Sequence, residues 1–110
     1  SGGNQQKLVL ARELSQEPCL IIANKPTRGL DIGATAYIHQ KLLEERDRGA
    51  GILLISTELE EILLLSDRIL VLFNGQSMGE LDTRSADIQT LGLMMAGTAL
   101  AELEPQEETP

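Results

Sequence analysis

Two stretches of the chain carry residues whose types and spacing suit chemistry. The first is SGGNQQK, residues 1–7. Two glycines at a helix start leave backbone N–H groups bare, and the helix dipole favours an anion there. Ser1 adds a hydroxyl to that group of donors. The second is CLIIANKPTRGLD, residues 19–31, in which an apolar run ends on Asn24 and Lys25. A strand end that serves water activation delivers carboxylates. Here an amide and an ammonium stand instead, and an ammonium cannot accept a proton as a general base at neutral pH.

Other reactive side chains read as structural. Glu58, Glu60 and Glu61 fall in the first turn of a short helix, where carboxylates cap and complement the dipole. The one histidine, His39, lies within a long helix at a solvated position. The one cysteine, Cys19, opens an apolar strand and reads as a buried free thiol. Thr27 reads as a loop cap rather than a nucleophile.

The elements that position these residues follow from pattern and punctuation. Residues 1–17 predict a helix, with Ser1 as cap, Leu8, Ala11 and Leu14 on one face and Pro18 as the stop. Residues 19–23 predict a fully buried strand, and Pro26 and Gly29 a loop. Asp31 then caps a helix over 32–48 with Ala34, Ile38 and Leu42 on its apolar side, ended by Gly49 and Gly51. Residues 51–56 predict a second buried strand. Thr57 and Glu60 form a capping box for a helix to about 66. Residues 68–73 predict a third strand, and Asn74-Gly75 turns it into an antiparallel fourth over 76–81. Asp87 caps a last helix carrying Ile88, Leu91 and Met95. The order implies an α/β fold with a mostly parallel sheet covered by helices, a C-terminal β-hairpin and a helix. Ligands in such sheets gather at the carboxyl ends of the strands, which puts 24–27 and 56–57 on one rim.

Composition narrows the function classes. The chain has 110 residues, 42% hydrophobic and only 2% aromatic, so the core must be aliphatic. Net charge is −8, which argues against nucleic acid, since phosphate backbones need a basic face. No apolar run approaches the ~20 residues that span a bilayer. The end, ELEPQEETP, is acidic and proline-containing, and predicts a disordered tail over 98–110.

In combination these stretches resemble the C-terminal part of the ATP-binding domain of ABC transporters. Ser1, Gly2, Gly3, Asn4 and Gln5 resemble the signature motif, in the variant of sugar and nucleoside importers. Residues 19–25 resemble the Walker B strand, with Asn24 and Lys25 at the places of its magnesium-linked Asp and catalytic Glu. Gly29, Leu30 and Asp31 resemble the D-loop. Ser56-Thr57-Glu58 resembles the switch region, with Thr57 at the place of its His. SDRILVLFNGQSMGEL resembles the hairpin that follows. The likeness covers about residues 1–97 and is similar to the second, degenerate cassette of tandem importers.

The resemblance implies a partial P-loop NTPase (ABC ATPase) fold and a role in trans. Ser1, Gly2 and Gly3 would donate to the γ-phosphate of ATP held by a partner cassette, and Arg28 and Asp31 would touch that partner. No catalytic residue and no metal ligand is expected within the chain. ATP and Mg2+ would belong to the parent complex, and none is expected for the isolated chain, which contains no GxxxxGK[ST] segment. Its partners would be the second cassette and membrane-spanning transporter subunits, at the inner face of the cell membrane. The alternative is a non-enzymatic structural or interaction fragment that binds no nucleotide, whose sheet face would have to pair with another copy.

Overall fold

The computed structural model describes residues 2–103. Ser1 and the acidic residues 104–110 lie outside the described residues, and with them the proposed serine cap and most of the predicted tail. Contacts divide the chain into two units, residues 1–58 and 59–110.

The first unit holds α1 (Gly2–Leu14), β1 (Leu20–Asn24), α2 (Ile32–Arg48) and β2 (Gly51–Ile55). β1 and β2 pair in parallel, from Leu20 opposite Gly51 to Asn24 opposite Ile55. α2 is capped at both ends. Asp31 accepts a hydrogen bond from the Ala34 N–H at its start (2.7 Å). At its end Gly49 turns left-handed (φ 110°), its N–H donating to the Arg46 carbonyl and that of Ala50 to the Glu45 carbonyl. This closing motif satisfies two orphan carbonyls and needs the positive φ that glycine supplies. Between the caps, Ala34, Ile38 and Leu42 form the buried stripe.

Two expectations fail here. α1 turns Leu8 and Ala11 to solvent, with Leu8 73% exposed. Its covered side runs through Gly3, Lys7, Leu10 and Leu14, a different phase of the same helical period. Neither strand is fully buried. Ala23 is buried and Ile21, Ile52 and Leu54 are half-covered, whereas Leu20, Ile22, Leu53 and Ile55 stay exposed on the opposite face. An apolar run signals two faces that suit a dry environment, but this unit covers only one of them.

The second unit holds α3 (Leu59–Leu65), β3 (Arg68–Phe73), β4 (Gln76–Asp82), a short 3-10 turn (Thr83–Ser85), α4 (Ile88–Met95) and α5 (Leu100–Leu103). β3 and β4 pair antiparallel. Asn74 (φ 49°) and Gly75 (φ 76°) supply the two positive angles of the tight turn. The sheet is therefore not mostly parallel: among the described residues there is one parallel pair and one antiparallel pair. The core is Ile69, Val71, Leu91 and Met94, with Leu59, Ile62, Met78 and Leu100 packed around it. Asp87 caps α4 through the Thr90 N–H (2.7 Å), and the buried face is Leu91 and Met94, while Ile88 is exposed. α5 corrects the tail reading, because Leu100 and Leu103 pack against this core.

The hairpin carries a register shift between Val71 and Leu72, and β4 bends around Gly79 (φ 136°). A Cβ on Gly79 would lie 2.6 Å from the Leu100 Cβ. Gly79→Ala is therefore expected to destabilise this unit by about 1–3 kcal/mol through overpacking and backbone strain. Urea unfolding followed by far-UV circular dichroism measures it, and an unchanged midpoint would contradict the close approach of α5.

Candidate functional site

The rim at the carboxyl end of the parallel pair is built from backbone hydrogen bonds. The Lys25 N–H donates to the Ile55 carbonyl at 2.7 Å, extending the ladder one residue past Asn24. Lys25 adopts a left-handed φ of 48°, uncommon for a residue with a side chain. The chain then turns: the Arg28 N–H donates to the Lys25 carbonyl (3.3 Å) and the Leu30 N–H to that of Thr27 (3.1 Å). Gly29 (φ 73°) permits the return, and Asp31 (φ −71°) is extended, as a helix cap should be.

α1 is tied to this loop at two points. The Gln6 Nε2 donates to the Pro26 carbonyl at 2.8 Å. Gly3 sits so close to α2 that a Cβ there would lie 2.9 Å from the Ala34 Cβ. Gly2 is the opposite case: an added Cβ would meet nothing within 4 Å. Gly2, Asn4 and Gln5 are exposed at the tip of α1, and Asn4 is partnered. The two tethers hold the amino end of α1 to Pro26 of the loop that follows Asn24 and Lys25, and to Ala34 in the first turn of α2, three residues after Asp31, while Ser1 lies outside the described residues. Ser56 follows Ile55 and so stands at the same end of the strand pair.

The expected capping box is replaced. The hydrogen bond formed at this point runs from the Glu58 N–H to the Ser56 Oγ (3.0 Å), and Thr57 is exposed. A serine hydroxyl accepting from the second residue onward is a local turn that competes with the longer-range cap. Cys19 is exposed rather than buried, because it precedes β1 and contributes only its carbonyl, which accepts from the Gly51 N–H (2.8 Å). His39 is half-buried and partnered, not solvated. Glu61, expected as a first-turn carboxylate that complements the helix dipole, is instead 5% exposed, a buried and partnered carboxylate. Its place on the same helical side as Leu65 was the available signal.

Beside the rim, a groove of about 450 Å³ runs between α1 and β1. Val9, Leu10, Leu14, Leu20 and Ile22 line it, with Gln6, Glu13 and Asn24 as polar groups. Tyr37 on α2 is flanked by two ammonium groups, Lys7 at 4.8 Å and Lys41 at 5.6 Å from the ring centre.

Known proteins share this frame. The chain is 51% identical over 102 residues to the guanosine import ATP-binding protein NupO of Bacillus subtilis (strain 168), covering 93% of this chain and 20% of that protein. It is 49% identical over 102 residues to the nucleoside import ATP-binding protein NupA of Lactococcus lactis subsp. cremoris (strain MG1363), with the same coverage. Its fold superposes on a solved ATP-binding subunit of an ABC transporter with a TM-score of 0.69 and 29% identity, over 94% of this chain and 42% of that one. The chain belongs to the ATP-binding cassettes of ABC transporters. A nucleotide-free cassette agrees in fold alone, with a TM-score of 0.71 and 24% identity. No protein-family model matches the chain. This cassette segment spans about a fifth of the length of the curated relatives it matches (20%).

The strand-end donors of the cassette segment do not fit magnesium. That ion takes oxygen ligands, carboxylates first, whereas β1 ends in an amide and an ammonium. Among the described residues no group of three or more His, Cys, Asp or Glu side chains is placed to hold a metal ion. Asp31, the acid of the loop, has its Oδ1 committed to the cap of α2. Asp31→Ala is accordingly expected to lower stability by about 1 kcal/mol. Thermal unfolding tests this, and a variant as stable as the parent would mean that the cap does not hold α2.

Proposed function

We propose that the chain supplies signature-motif and dimer contacts to ATP held by a partner cassette, within the motor of an ABC importer for simple sugars or nucleosides. The relatives named for guanosine and nucleoside import support the cargo class. Its own strand end is degenerate: Asn24 and Lys25 replace the acids, and Thr57 replaces the switch histidine. Hydrolysis then falls to the partner's site, since loss of a general base alone costs about 10²–10⁴-fold in rate. ATP and Mg2+ belong to the assembled pair, and membrane-spanning subunits hold it at the inner face of the membrane.

One observation carries this reading. Gly2 lies exposed at the tip of α1, and nothing within 4 Å would obstruct a side chain there. Packing within this unit does not demand a glycine at that position, whereas close approach of a phosphate to bare amides does. The experiment follows directly. Gly2→Asp in the full-length protein places a carboxylate against the γ-phosphate while leaving the fold intact. ATP turnover is expected to fall by about 10²-fold or more, with an unchanged melting temperature. Unchanged turnover would remove the signature role.

The exposed apolar face of Leu20, Ile22, Leu53 and Ile55 favours a second reading, a structural fragment that binds no nucleotide. In that case the isolated chain self-associates through this face. Light scattering of the isolated chain, combined with ATP titration of the full-length protein, separates the two: self-association without any nucleotide binding by the full-length protein supports the fragment reading.

A further inference from the structure

The first unit arranges its charges unevenly. Along the second half of α2 every cation has a carboxylate: Lys41 with Glu44 (3.3 Å), Arg46 with Asp47 (3.1 Å) and Arg48 with Glu45 (2.7 Å). The loop after β1 is different. Lys25 and Arg28 are both exposed, three residues apart in one hydrogen-bonded turn, and neither has an ion-pair partner among the described residues. Asp31 is engaged in capping α2, and Glu58 on the neighbouring segment forms no ion pair with them. In a chain with 17 acids and 9 bases, this rim is a local concentration of free positive charge.

The backbone at Lys25 is also specified. Its N–H is held by the Ile55 carbonyl, and its φ of 48° is uncommon for a residue with a side chain. The Cα is therefore fixed at the carboxyl end of a parallel pair, where α/β sheets receive ligands, while the side chain is left unpaired. A fixed root with a free ammonium suits an anion, and a flexible stem with three donors suits phosphate oxygens.

We propose that Lys25, assisted by Arg28, binds the polyphosphate chain of a nucleotide at this cassette's own rim, supplying the positive charge that magnesium would otherwise supply. The inference rests on the reading of the chain as part of a nucleotide-binding motor and adds a ligand for its own site. The misfit of the strand end to magnesium then has a chemical meaning. An acid-to-amide and an acid-to-ammonium replacement change a metal-recruiting edge into a direct anion site. Such a site holds nucleotide without a dication and without activating water.

The test is equilibrium dialysis of the full-length protein with labelled ATP, in magnesium and in EDTA. A fraction of nucleotide is expected to stay bound in EDTA. Lys25→Gln should weaken that fraction by about 10- to 100-fold, the worth of a charge-assisted contact, and leave the magnesium-dependent fraction unmoved. Lys25→Arg should retain it, and the melting temperatures of both variants should match the parent. Inorganic tripolyphosphate should compete for the EDTA-resistant fraction, and the competition should weaken in Lys25→Gln. An EDTA-resistant fraction that Lys25→Gln leaves intact overturns the proposal, as does its complete absence while magnesium-dependent binding persists. No ATP binding in either buffer overturns the broader motor reading as well.

Discussion

The parallel ladder between β1 and β2 is the constraint on which the first unit depends. Five residue pairs set its register, and the Lys25 N–H carries it one step further. That extra bond aligns the departing loop with the strand end. From there the Gln6 amide anchors the loop to α1, and Asp31 starts α2 where Ala34 can meet Gly3. Slip the ladder by one residue and Ile21, Ala23, Ile52 and Leu54 would turn away from their cover, because strand side chains alternate strictly. The tip of α1, the loop and the first turn of α2 would lose their common reference.

Much of this was legible in residue order. α2 begins after Asp31 and ends at Gly49 as capping chemistry demands, and Asn74-Gly75 makes the turn that its positive angles allow. The tie between α1 and the loop after β1, from Gln6 to Pro26, was not visible in the strings themselves. What was not legible has physical causes. A period of 3.6 says that α1 has a covered side, but Leu8 and Leu10 compete to define it, and only the close Gly3–Ala34 contact decides. A run such as LIIA cannot say whether one face or two will be covered. The Ser56 hydroxyl instead accepts from the Glu58 N–H in a local turn, a contact that a capping pattern in the sequence does not reveal.

Charge placement separates scaffold from rim. Ion pairs along α2 are exposed or half-exposed, and such pairs contribute little to stability, about 0–1 kcal/mol each. Their effect is to neutralise that helix locally, so that the field at the other end of the unit is shaped by Lys25 and Arg28. The buried Glu61 in the second unit is an opposite device, a charge withdrawn from solvent and held by partners.

The open aliphatic face of the first sheet sets terms for how these positions can vary. Leu20, Ile22, Leu53 and Ile55 leave about half of their surface exposed, 44–63%, and that exposed hydrocarbon lowers solubility. An aliphatic face left half open to water is thus matched to contact with a further apolar surface.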